Sequence, residues 1–473
     1  MRFTIIGHAA LCVETRAGRI LVDPWMIGSC GWRSWWHYPP TTVQSEWLAP
    51  DWIYLTHHHP DHFHYPSMRK IDRSARVLTP KFGVDVMPGE LAGLGFEDVE
   101  ELPHGEVRDL GNGVRVASYQ YGFDDTTFVI AEDDVVLIDL NDCKIRGLPL
   151  AQIKRDFPSP TFIFKGHSFA QAYPACYEAE DEADLHMIDR GTFTRDFIEA
   201  ARVLRPTYAI PFGSMVGFMH PESRHVNAHL ITPAEVVAAM EAEPDPPTKV
   251  VPMAPGDTWS KEAGFSLSDH DWYADREAQL ERLAQEVAPK LEATAAEEAQ
   301  RHLAFDTFRD YLERFCREMP WVLRRVFLTR PVVFHIPRDS EAPYWSIDFR
   351  RGRVERLAAP PADCASVLHV SEAVLDDAID KRILHYVHGS MRIHGELKRG
   401  GTNVELAFWG FIAIWEIGYL PLHGNLHPRF VRVLARRWRE ALASVRALVG
   451  STSPFGRLAS GFGASTQDAG GGH

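Results

Sequence analysis

A chain of 473 residues exceeds one ordinary domain, and a content of 45% hydrophobic and 24% charged residues suits two or three packed cores. Fifty basic against 64 acidic residues give a net charge of −14, which argues against general nucleic-acid binding. Six scattered cysteines, at positions 12, 30, 143, 176, 316 and 364, form no Cys-x-x-Cys pair, so no disulfide framework or cysteine-ligated cluster is readable.

The amino terminus enters an apolar strand directly, without a signal-peptide layout, and a cytoplasmic protein is expected. Over residues 1–260 short apolar runs recur between Gly, Pro and Asp: Phe3–Ile6, Ile20–Val22, Trp52–Leu55, Val114–Ser118, Thr127–Ile130, Val135–Leu140, Thr161–Phe164 and Tyr208–Pro211. They are too short for helices and rich in β-branched and aromatic residues, hence strands. Helical stretches such as Thr194–Leu204 fall between the later ones, which predicts a layered α/β domain.

Over residues 261–325 Glu, Ala, Gln and Leu take over, and Leu280, Leu283 and Val287 at helical spacing predict a helical linker. Residues 326–448 read as a smaller α+β domain, opening with strands Val332–Ile336 and Tyr344–Phe349 and a turn at Arg350-Arg351-Gly352. The apolar stretch Leu406 to Leu422, interrupted by Glu416, is short for a membrane span and reads as core. Its aromatic residues Phe408, Trp409, Phe411, Trp415 and Tyr419 suit a domain core or homodimer surface, or a lid on an apolar-ligand pocket. Arg429, Arg432, Arg436, Arg437 and Arg439 make the last helix basic, which predicts a solvated or salt-bridged face. Residues 449–473, rich in Gly, Ser and Ala, read as a disordered tail.

The chemistry concentrates after Trp52–Leu55, in Thr56-His57-His58-His59-Pro60-Asp61-His62. Imidazoles and a carboxylate suit zinc, iron or manganese, and the end of a strand projects them into a cleft. Alternation puts His57 and His59 on one side, and Asp61 and His62 follow the turn at Pro60. One segment cannot surround a metal, so later strand ends must contribute. Asp142, past Val135–Leu140, is the first choice for a bridging carboxylate, with Asp139 second, and His220 lies beyond Tyr208–Pro211 and a Gly-containing loop. His58 and His64 are expected to face solvent or to support the ligands.

The His-x-His-x-Asp-His spacing resembles the metallo-β-lactamase superfamily, which implies an αββα sandwich with His57, His59, Asp61, His62, Asp142 and His220 as metal ligands. That superfamily supplies another histidine before the strand leading to the bridging aspartate, whereas Tyr119-Gln120-Tyr121-Gly122-Phe123-Asp124-Asp125 contains none. His167, Asp124 or Asp125 could take its place, and His167 is alternatively a proton donor. His8, in Gly7-His8-Ala9-Ala10, resembles the opening of lactonase-like members; it faces the cleft or packs in the core.

Asp23-Pro24-Trp25, Gly31-Trp32-Arg33-Ser34-Trp35-Trp36, Asn141-Asp142-Cys143 and Ile210-Pro211-Phe212-Gly213 resemble more narrowly the metallo-β-lactamase-like domain of CMP-N-acetylneuraminate hydroxylases. Gly389-Ser390-Met391-Arg392-Ile393 resembles sterol-carrier-protein-like domains. The hydroxylase resemblance implies a non-haem iron oxygenase with one or two iron ions acting on a small-molecule substrate. No Rieske pattern of paired Cys and His is present, so that reading calls for a ferredoxin or Rieske-type electron donor on another chain. The alternative is a zinc or manganese hydrolase in which Asp61 orients the attacking water. The aromatic segment Trp32, Trp35, Trp36, His37 and Tyr38 either walls the cleft or packs as core.

Overall fold

Strict alternation along the first strands decides the architecture. Phe3 and Ile5 of Arg2–Gly7 point one way and Ile6 the other, and Phe128 and Ile130 of Asp125–Glu132 oppose Val129 and Ala131. A strand apolar on both sides must be covered on both faces. In this computed structural model, which describes residues 1–440 apart from 85, 187 and 426, that is the arrangement found.

An eight-stranded sheet runs in the order Gly264–Ser266, Thr258–Ser260, Arg2–Gly7, Ala10–Thr15, Gly18–Val22, Trp52–Tyr54, Arg76–Pro80, Val99–Leu102. A seven-stranded sheet runs Lys249–Val250, Tyr208–Pro211, Phe162–Lys165, Val135–Asn141, Asp125–Glu132, Val114–Tyr121, Val107–Gly111. Phe3, Leu11, Val22 and Tyr54 of the first meet Val116, Phe128, Phe162 and Ile210 of the second in one buried core. Tyr54 and Phe128 stack at 3.7 Å between centroids. Helices Gly147–Asp156, Thr192–Leu204 and Pro233–Glu241 cover the outer face of the seven-stranded sheet through Ile153, Phe197 and Val236. Trp47, Phe63, Met68 and Leu91 cover the outer face of the other. The αββα sandwich expected for the amino-terminal half is therefore present.

The helical region follows as Arg276–Glu298 and Phe305–Glu318. Leu280, Ala284 and Val287 pack on Trp36, Tyr38 and Met219 of the sandwich, whereas Phe308, Leu312 and Phe315 belong to the carboxy-terminal core. That core backs a six-stranded sheet in the order Tyr177–Ala179, His394–Leu397, Ser366–His369, Val332–His335, Tyr344–Asp348, Arg353–Leu357. The first of these strands comes from the amino-terminal half and pairs in parallel with His394–Leu397, so the division near residue 260 is crossed by shared backbone hydrogen bonding.

Helix Thr402–Ile417 carries Phe408, Trp409, Phe411 and Trp415 into the same core. Of the three roles open to these aromatics, core is the one observed, and no helix among the described residues is long and apolar enough to cross a membrane. The basic helix Pro428–Arg436 is salt-bridged, Arg429 to Glu101 and Arg436 to Glu106. The predicted tail lies outside the described residues.

Candidate metal centre

The cluster begins with a buried carboxylate that the motif does not contain. Asp23, wholly buried and at φ +43°, follows strand Gly18–Val22. It accepts hydrogen bonds from the Thr56 N–H (2.8 Å) and hydroxyl (2.6 Å), from Asn141 Nδ2 (2.7 Å) and from His62 Nδ1 (2.8 Å). A buried charge is tolerated only when so satisfied. Because Nδ1 of His62 is committed to Asp23, Nε2 is left to face the cleft, the carboxylate–histidine arrangement that supports metal ligands.

His62 Nε2 lies 3.3 Å from Asp61 Oδ2 and 3.7 Å from Asp142 Oδ1. His57 Nε2 is 2.8 Å from His59 Nδ1 and 4.0 Å from Asp142 Oδ2. His8 Nε2 is 3.0 Å from Asp61 Oδ2. Two donor groups result, His57 with His62 and Asp142, and His8 with Asp61 and His62, each with its ligand atoms within 4.8 Å of one another. His62 Nε2 and Asp142 Oδ1 are buried without a hydrogen-bond partner. Such orphaned atoms, in a set of imidazole nitrogens and carboxylate oxygens, fit a divalent transition-metal ion.

Electrostatics agree. Burial pushes His57 down to about 3, aided by His62, so it is a neutral electron-pair donor. Burial also opposes charge on His62, but Asp61, Asp142 and Asp23 outweigh it and hold this imidazole well above its ordinary value. Asp142 resists its own burial and sits at about 2 because of His62 and His57. Asp125 is pushed well up by burial and by its neighbours Asp142 and Asp124. Crowded like charges of this kind are relieved by a cation.

The structure thus brings together His57, His59, Asp61, His62 and Asp142, and it adds His8. Asp139 stays inside its strand, accepting from the Asn141 N–H, and joins neither group. His220 departs from expectation: its neighbours are Glu222, at 3.8 Å, and the charges of Arg392 and Glu298, none of them in the cluster. The turn after Val216–Phe218 carries it towards the carboxy-terminal region instead. His167 is buried, with Nδ1 unpartnered and its backbone tied to Ser214 and Thr194, and it also lies outside both donor groups. Where the superfamily's further histidine is absent, Asp125 comes within 3.7 Å of His57 Nδ1.

His64 is not solvent-facing; it caps Tyr65–Met68 through Ser67. Of the aromatic segment, Trp35 lines the cleft while Trp36 and Tyr38 pack against the linker helix. Gly213, at φ +62°, donates its N–H to the His8 carbonyl, and a Cβ there would stand 3.1 Å from Asn141 Oδ1. The Pro-Phe-Gly segment is therefore the backing on which the His8 and Asp142 loops rest.

Sequence missed Asp23 as the organiser. Its signal was an Asp-Pro pair directly after an apolar strand.

A family model described as beta-lactamase superfamily domain matches residues 2–154. A protein of Mycobacterium tuberculosis named as a Rieske 2Fe-2S iron–sulfur protein is 27% identical over 258 residues, covering 50% of this chain and 48% of that one. The inactive cytidine monophosphate-N-acetylneuraminic acid hydroxylase of Homo sapiens is 34% identical over 244 residues, covering 48% and 47% respectively. The chain thus spans about half the length of these relatives. Among solved structures, a diiron beta-hydroxylase from Streptomyces venezuelae superposes with a TM-score of 0.36 at 18% identity, covering 53% of this chain and 52% of that one. Residues 2–154 are accordingly similar to the beta-lactamase superfamily domain, and they lie within the αββα sandwich.

Proposed function

We propose that this chain is a non-haem iron oxygenase that hydroxylates a small-molecule or conjugated substrate with electrons from a separate ferredoxin or Rieske-type donor. The observation that carries it is the pair of donor groups sharing His62, with Nε2 and Asp142 Oδ1 unpaired, in a chain similar to proteins named as hydroxylases and Rieske proteins. His57, His59, Asp61, His62 and Asp142 would hold the metal, one ion or two. Asp125 is the candidate for the absent histidine's place, and His8 supports Asp61. His220 and His167 are not used. When bound, iron would supply the redox chemistry that no side chain can.

The chain's own contribution is binding and exclusion. Asp23 fixes the tautomer of His62, His8 holds the Asp61 carboxylate, and Trp35 gives the cleft an apolar wall that limits water. A second reading has one observation in its favour: the same nitrogen and oxygen donors suit zinc or manganese, and Asp61 stands where it could orient a water for hydrolysis of an ester, lactone or phosphoester.

Metal analysis of the purified chain separates the two. One or two irons per chain, with oxygen consumption that depends on a reductant and a donor protein, is the expected result. Tightly held zinc with anaerobic ester or lactone hydrolysis would instead establish the hydrolase. In either case His57→Ala with His59→Ala should lower metal content at least tenfold, and an unchanged content would overturn the ligand assignment.

A further inference from the structure

The cavity over the cluster, about 240 Å³, is walled from two sides. His59, Asp61 and Asp142 come from the sandwich, and His385, Tyr386 and Ser390 come from the carboxy-terminal region. Tyr386 secures that second wall by donating its hydroxyl to the His58 carbonyl (3.1 Å) and setting its ring edge-on to His59 at 5.2 Å.

His385 is built into place. Its backbone N–H (2.9 Å) and its Nδ1 (2.5 Å) both donate to Glu416 Oε2, while the Leu384 N–H (2.7 Å) and the Tyr311 hydroxyl donate to Oε1. The Glu416 side chain has no exposed surface, and that of His385 has 7%. With the Nδ1 proton donated to Glu416, Nε2 is the ring nitrogen left to accept from a ligand, and this atom is buried with no partner in the protein. A buried carboxylate at the end of the apolar run Leu406–Trp415 is costly, and orienting one imidazole of the cavity wall is a use that accounts for it.

We propose that His385, oriented by Glu416, is a positioning residue for the substrate: its Nε2 accepts a hydrogen bond from a hydroxyl or N–H group of the molecule bound over the metal. This rests on the metal-centre reading above and deepens it, since it asks for a substrate that carries such a donor close to its reacting atom. The carboxy-terminal region would then complete the site.

The probe is acetohydroxamic acid, which chelates ferric iron with a visible absorption band and carries an N–H, compared with its N-methyl analogue, which does not. With the iron-loaded full chain, His385→Ala is expected to weaken acetohydroxamate about tenfold and to leave the N-methyl analogue within twofold, with iron content unchanged. His385→Phe, which keeps the ring volume, should behave alike if the smaller side chain disturbs folding. Equal effects on both probes, or none on either, would overturn the proposal while leaving the metal centre standing. A wild-type chain that takes up no iron would sink both readings.

Discussion

Asp23 satisfies four donors from one buried carboxylate, and they come from three parts of the metal centre: the His-cluster strand end, His62, and the Asn141 turn beside Asp142. Asp23→Asn keeps the volume but turns one of the two accepting oxygens into an NH2 donor, so the four incoming hydrogen bonds, that of His62 among them, can no longer all be met. Metal affinity should fall about 10–100-fold, measured by competition with a chromogenic chelator, with little change in far-UV circular dichroism. His59 and Asp61 depend on no such buried anchor, since their neighbours are other members of the cluster and His8. Substituting Asp23 therefore tests support alone, without deleting a ligand.

At the scale of elements, strand ends carry the chemistry, and a loop between the two sheets carries a pH-sensitive histidine. His104, after strand Val99–Leu102, accepts the Gln120 N–H at Nδ1 (2.9 Å) and meets Gln152 Oε1 at Nε2 (3.3 Å), which is the neutral tautomer. Burial and the nearby Arg437 lower it from 6.5 to about 4. The unfolded chain therefore binds a proton there that the folded chain refuses. Its stabilising contribution is complete above about pH 6.5 and is lost as pH falls towards 4, with a slope of up to about 1.4 kcal/mol per pH unit. His104→Asn, which keeps an acceptor for the Gln120 N–H, should flatten the acid limb of a urea-unfolding series between those pH values. An unaltered limb would show that His104 does not contribute.

Over the whole molecule, the two halves are joined by more than a linker. Arg392, 1% exposed, reaches both oxygens of Glu222 and both of Glu298 and also donates to the Trp32 carbonyl. One guanidinium thus ties the sandwich, the linker helix and the carboxy-terminal region behind the cleft wall formed by Trp35 and Gly389. Glu222 and Glu298 retain access to water, 42% and 18% exposed, so they can resolvate if the arginine is lost. Arg392→Met should cost about 1–3 kcal/mol and split thermal unfolding into two calorimetric transitions. A single unshifted transition would contradict this coupling.

Local pattern was enough to place much of this. Alternation and run length located the main sandwich strands, because a strand buried on both faces leaves little room for polar residues. Spacing located His57, His59, Asp61 and His62, because four ligands on one turn need no distant information. Elsewhere one-dimensional reading had no access to the answer. His220 follows a strand of the right kind, yet its loop turns to Glu222 and Arg392, a direction set by packing some 170 residues away in sequence. His8 is brought against Asp61 by the strand order within the eight-stranded sheet, and Asp125 against His57 by stacking one sheet on the other. Glu416 looked like a blemish in an apolar run until the fold set it beneath His385. The sequence by itself determined which segments are strands and which residues can bind a metal. Tertiary structure alone decided which of those residues meet, because convergence depends on how sheets and helices pack across long separations and leaves no periodic trace in the chain.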